Sequence, residues 1–152
     1  MARKNHDEHY WTNNIDSSTH RAWSGYAFEL VTITHLDAIK AALGIAGVST
    51  SACTWRSKVD TAKTKRGAQI DLVIDRNDQV INLCEMKYSQ GPFTIDKASS
   101  ENLRNKIAAF KNETKTRKAI HLTMITTYGI LKNEYSGMVQ SELTGEDLFK
   151  AF

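Results

Sequence analysis

Apolar positions recur along this 152-residue chain with two different periods, and the switches between them mark the elements. Residues 1–16 show neither period and read as a polar tail. Ser17, Ser18 and Thr19 then offer capping hydroxyls ahead of a helical repeat. Trp23, Ala27, Leu30 and Val31 begin that repeat, Ala38, Ile39 and Leu43 continue it, and Gly44 is placed to end it. Residues 48–55 are β-branched and aromatic enough for a strand, and 56–67 form a basic loop. Two further strands, 68–75 and 80–88, flank the turn-forming run Arg76-Asn77-Asp78-Gln79. Leu103, Ile107 and Phe110 mark the buried side of a helix over 96–114, and 119–126 reads as a buried strand. Shorter strands are predicted near 128–131 and 138–143, before a terminal helix capped by Thr144 with Asp147 at its third position. One domain over 17–152, an α/β or α+β sandwich around a mixed sheet, is the architecture this order predicts.

The hairpin 69–88 breaks its own pattern. Side chains alternate across a strand, so Ile70, Leu72 and Ile74 share one face, with Cys84 and Met86 on the partner strand. The opposite face carries Asp71, Val73 and Asp75 beside Leu83, Glu85 and Lys87, so charges interrupt a sheet whose other face is core. For Asp71 to stand opposite Glu85, the hairpin must close on an odd loop, such as 77–79 or 76–80, or carry a bulge. The two carboxylates would then lie about 5 Å apart at Cβ, with Lys87 about 7 Å further along.

Composition narrows the classes without choosing among them. A hydrophobic fraction of 41% and a charged fraction of 24% exclude a disordered chain, and the length excludes two full domains. A formal charge of +3 argues neither for nor against nucleic acid, so any phosphate affinity must come from local clusters. Cys53 and Cys84 lack metal-ligand spacing and are expected as two buried thiols of a reducing compartment. The start is polar and no apolar run approaches the roughly 20 residues that span a bilayer, so the expectation is a soluble, cytoplasmic protein without a membrane partner.

Two carboxylates as close as Asp71 and Glu85 repel unless a proton or cation intervenes, and a hard divalent ion suits them. Mg2+ takes one or two carboxylates and fills its shell with water and phosphate oxygens. Lys87 would orient an attacking water or offset developing charge, and Met86, its side chain in the core, has a backbone carbonyl able to face the metal. The competing reading is an exposed cross-strand ion pair worth under about 1 kcal/mol. Glu-x-Lys alone carries no weight, since Glu113-Thr114-Lys115 repeats it at a polar helix end. The apolar flanks of Glu85 and the Asp on the neighbouring strand favour the metal.

Asp71 with Glu85-Met86-Lys87 on consecutive strands resembles the PD-(D/E)XK nuclease superfamily. Three longer blocks resemble the C-terminal nuclease-like domain of a family of prokaryotic AAA-type ATPases: Trp23-Ser24-Gly25-Tyr26-Ala27-Phe28-Glu29, residues 67–75, and Ile81-Asn82-Leu83-Cys84-Glu85-Met86-Lys87. Ile70 replaces the motif's proline. The resemblance implies a restriction-endonuclease-like αβα sandwich and a Mg2+-dependent nuclease acting on DNA, with Mn2+ able to substitute. It implies Asp71, Glu85, the Met86 carbonyl and Glu29 as metal ligands and Lys87 as the catalytic base-side cation. Glu29 falls in line with Tyr26, Ile33 and Leu36, where a carboxylate needs a partner; a bond to the basic loop is the alternative. The ATPase module is missing, so the chain is expected to be part of a longer protein or a stand-alone relative partnered in trans. Dimers are compatible with the fold.

Nucleic-acid contacts are expected from Arg56, Lys58, Lys63, Lys65 and Arg66 of the basic loop. Lys97, Arg104 and Lys106 lie on the helix after the motif, where Lys97 and Arg104 share a face. His6-Asp7-Glu8-His9 reads as solvated tail, His121 as a satisfied core histidine, and no P-loop is present. A catalytically silent DNA- or protein-binding module of the same fold is the alternative function.

Overall fold

The structure is a computed structural model that describes residues 30, 32, 34–58 and 68–149. The expected tail, the front of the expected first helix and loop residues 59–67 lie outside the described residues. Within them the elements are α1 (Leu36–Ala42), β1 (Thr50–Arg56), β2 (Gln69–Arg76), β3 (Val80–Lys87), α2 (Lys97–Thr114), β4 (Ala119–Thr126), a 3-10 turn (Ser136–Met138), β5 (Ser141–Thr144) and α3 (Gly145–Phe149). The strands form one mixed sheet in chain order. β1, β2 and β3 pair antiparallel, whereas β3, β4 and β5 pair parallel. A parallel pair needs a crossover, and α2 supplies it between β3 and β4.

Both faces of the sheet are covered, so the central strands read as continuous apolar runs; β3 is buried from Ile81 through Met86. On one face Leu72, Ile74, Cys84, Met86, Ile125 and Leu143 pack against Ile39 of α1 and Leu148 of α3. On the other, Ile70, Val73, Ile81 and Leu83 lie under Phe110 of α2, and Leu122 and Met124 lie under Leu103. Each such side chain contributes roughly 1.5–3 kcal/mol by leaving water. The result is an α/β sandwich of three layers. Among the described residues no helix is long and apolar enough to cross a membrane.

The helix ends follow their local chemistry. Gly44, at φ 74°, ends α1: its N–H bonds the carbonyl of Ala41 and that of Ile45 bonds Lys40, which together satisfy the last turn. Asp96 caps α2 by accepting the N–H of Ser99 at 2.7 Å. Asp147 accepts the N–H of Thr144 at 2.8 Å, the returning arm of the predicted capping box.

Three expectations are corrected. Cys84 is fully buried, its thiol pushed up to about 12 by burial, but Cys53 is exposed, because β1 is an edge strand whose middle residues lack cover. The strand expected at 128–131 reduces to one bridge between Ile130 and Phe93, because the chain turns at Gly129, φ 86°, whose N–H bonds the Thr126 hydroxyl. The last strand starts only at Ser141, after Asn133 has folded the preceding segment by accepting the N–H groups of Tyr135 and Ser136.

Left-handed backbone without crowding makes Gly44 a clean conformational test, since a methyl there meets open space. Gly44→Ala should cost about 1 kcal/mol in urea unfolding. Gly47→Ala, also facing open space but without positive φ, should shift stability by no more than about 0.5 kcal/mol.

Candidate active site

The hairpin closes on residues 77–79, with Gln79 left-handed at φ 68°. Its pairs run from Asp75↔Ile81 to Leu72↔Cys84, and one further step in this register would set Asp71 opposite Glu85. The odd loop needed for that juxtaposition is therefore present. At this point, however, the β2–β3 ladder stops. β2 continues on β1 through Ile70↔Trp55 and Gln69↔Arg56, while β3 continues on β4 through Glu85↔Met124 and Lys87↔Thr126. The sheet forks where the two acids stand.

Two details shape the fork. Between Cys53↔Val73 and Trp55↔Ile70 the partner strand advances two residues while β2 advances three, so β2 bulges at Asp71 and Leu72. Ile70 consequently turns to the face of Val73 and Leu83 rather than that of Leu72 and Ile74, which corrects the simple alternation expected for it. The second detail replaces the lost ladder. Met86 N–H points towards β2 and donates to Asp71 Oδ2 at 3.0 Å. N–H and C=O of one strand residue share an edge, so the Met86 carbonyl lies on the same side, while its side chain is buried in the core.

Glu85 is 2% exposed. Its Oε2 accepts from Lys106 Nζ at 3.0 Å, and its buried Oε1 has no hydrogen-bond partner. Glu85 and Lys87 enclose, with Phe93, Ser99, Asn102, Leu103 and Met124, a cavity of about 30 Å³, room for little more than one water or ion. Burial, then the charge of Asp71, raises the Glu85 carboxyl above the ordinary glutamate range, opposed by Lys106 and Lys87. Among the buried side-chain nitrogens and oxygens of the described residues, this Glu85 oxygen is the one left without a hydrogen-bond partner.

Of the residues singled out in the sequence, Asp71, Glu85, Met86 and Lys87 come together at the fork. Glu29, Lys63, Lys65 and Arg66 lie outside the described residues. Arg56 pairs with Gln69, two residues before Asp71, and is exposed. Lys58 is exposed too, and its N–H donates to both carboxylate oxygens of Glu113, at 3.1 and 3.3 Å. Glu113 of the second Glu-x-Lys thus anchors the start of the basic loop. Lys97 and Arg104 are exposed, and Glu85 takes its ion pair from Lys106 instead. A signal for Lys106 was present: it stands three residues after Leu103 and four before Phe110, within the buried stripe. Among the described residues no group of three or more His, Cys, Asp or Glu side chains is placed to hold a metal ion.

No protein-family model matches the chain, and no curated protein matches it. A solved structure titled as a crystal structure of a protein of unknown function, AF1548, is similar to it at a TM-score of 0.48 and 14% identity. The similarity covers 75% of this chain and 56% of that one.

The raised Glu85 carboxyl sets a pH dependence in metal-free buffer. The folded state holds its proton more tightly than the unfolded chain, whose glutamates titrate near about 4.3. Stability from this group is therefore present at low pH and is lost as pH rises from that value through the raised folded one. Glu85→Gln, measured by urea unfolding in EDTA, should gain on the wild type across that window and hold its advantage above it.

Proposed function

We propose that the chain is a metal-dependent nuclease of PD-(D/E)XK type, hydrolysing phosphodiester bonds in DNA with Mg2+, or Mn2+ in its place. The observation that carries this reading is the unpartnered, buried Glu85 Oε1 beside Asp71 at the fork. The donor set suits a hard cation: each carboxylate has one oxygen engaged, by Met86 N–H and by Lys106, and one left over, and the Met86 carbonyl shares their edge. Asp71, Glu85 and the Met86 carbonyl would hold the ion, with Glu29 as the expected further ligand. The ion would supply charge neutralisation at the phosphate and a more acidic water.

The remaining work falls to this chain's own groups. The Lys87 ammonium, two residues beyond Glu85 on the cavity wall, orients the attacking water and offsets charge growing on the phosphate oxygens. Phe93, Leu103 and Met124 keep bulk water from Glu85, which strengthens every charge interaction there. Arg56 at the end of β1 and Lys58 beyond it, with Lys63, Lys65 and Arg66 further along the chain, hold the nucleic-acid backbone without reading its sequence. Action alongside an AAA-type ATPase, in cis or in trans, belongs to this proposal through the sequence resemblance alone, and the cytoplasmic setting is carried over from the sequence expectation.

A second reading has its own support. The Lys106–Glu85 ion pair offsets the buried acid from within, as a silent DNA- or protein-binding module of the same fold would require. Calorimetric titration separates the two: binding of Mg2+ or Mn2+ near millimolar concentration favours the nuclease, and none favours the module.

Activity is tested with Mn2+ and Mg2+ on linear, supercoiled, branched and single-stranded DNA, using Glu85→Ala as control. Asp71→Asn and Lys87→Ala should each lower cleavage by at least ~100-fold while circular dichroism stays native. Cleavage retained in either variant would contradict the assignment.

A further inference from the structure

Both carboxylates at the fork are tied in the same way. Asp71 Oδ2 accepts the N–H of Met86, and Glu85 Oε2 accepts from the ammonium of Lys106. Each keeps one oxygen for any other partner. The first tie is made by backbone, whereas the second is made by a side chain that had another choice. A lysine on a surface helix normally extends into water. Lys106 is instead flanked by Leu103, Ile107 and Phe110, which pack on the sheet, and its side chain is only 16% exposed. Its stem is thus pinned at mid-helix, and its ammonium is held over Glu85.

We infer that Lys106 sets the metal selectivity of the fork, confining Glu85 to a single available oxygen and so favouring Mg2+ over Ca2+, resting on the reading of Asp71 and Glu85 as a metal site. Ca2+ takes six to eight oxygens and commonly uses both oxygens of a carboxylate. Mg2+ demands six in near-octahedral array, and single carboxylate oxygens completed by water suit it. A tether on Oε2 withholds what Ca2+ gains from and Mg2+ does not need. The Lys106 charge acts differently: it repels any divalent cation, lowering both affinities without changing their ratio. Charge and tether are therefore separable by substitution.

Calorimetric titration of the full chain with Mg2+ and with Ca2+ tests this in wild type, Lys106→Met and Lys106→Gln, each checked for native melting in EDTA. Lys106→Met removes charge and tether; both ions should bind more tightly, with Ca2+ gaining ~10-fold more than Mg2+. Lys106→Gln removes the charge but keeps an amide donor for Oε2, so both ions should gain while the wild-type ratio holds. Equal gains for the two ions in Lys106→Met, or the same change of ratio in both variants, would overturn the inference. Lys106→Ala takes the place of Lys106→Met if that variant does not fold. Glu85→Gln guards the underlying reading: if it binds Mg2+ as wild type does, or wild type binds neither ion, the metal site itself falls and the selectivity with it.

Discussion

A carboxylate taken out of water must find a donor or a cation, and this fold sets two of them against each other. Asp71 and Glu85 meet where the β2–β3 ladder ends, and much of the surrounding structure answers that repulsion. The bulge in β2 falls at Asp71, the Met86 amide donates to one of its oxygens, and α2 lowers Lys106 onto Glu85. One oxygen of Glu85 is still unanswered. Ordinary cores do not leave a buried charged oxygen in that state without use for it.

The opposite end of the hairpin makes the meeting reproducible. A slip of one residue would carry Asp71 to the other face, so the register needs a lock. Arg76 supplies one, bonding the Asp78 carboxylate within the turn and the side chain of buried Asn82, which in turn donates to Thr123 of β4. The same guanidinium holds the Asp78 carboxyl below the usual carboxylate range. Lys118 ties Asp75 and the Arg76 carbonyl from the other side. Polar groups at the turn thus fix which residues face each other at the fork, several steps away along β2 and β3.

Much of this was legible before any coordinates. The strand 119–126 and the helix following Asp96 emerge where periodicity put them, because both are long and regular. The opposition of Asp71 and Glu85 was legible only as a condition, since it needed an odd loop or a bulge, and the chain closes on the three residues 77–79. What escaped were consequences of tertiary context. Strict alternation cannot foresee a bulge, so Ile70 was placed on the wrong face. Facing-pair arguments on α2 favoured Lys97 and Arg104, whereas the diagonal lie of the helix, with Phe110 against Trp55 and Leu103 near Met124, makes Lys106 the residue above Glu85. Cys53 lies in an apolar-looking strand, yet edge position decides burial and residue type does not.

The central claim is that the fork is built around a divalent cation. It is tested most directly by soaking crystals in MnCl2 and collecting anomalous data at the manganese edge. The account predicts one strong peak bonded to oxygens of both Asp71 and Glu85. A clean map at the fork, with Lys106 still holding Glu85, would contradict it and leave the lysine as the cation that Glu85 is arranged to meet.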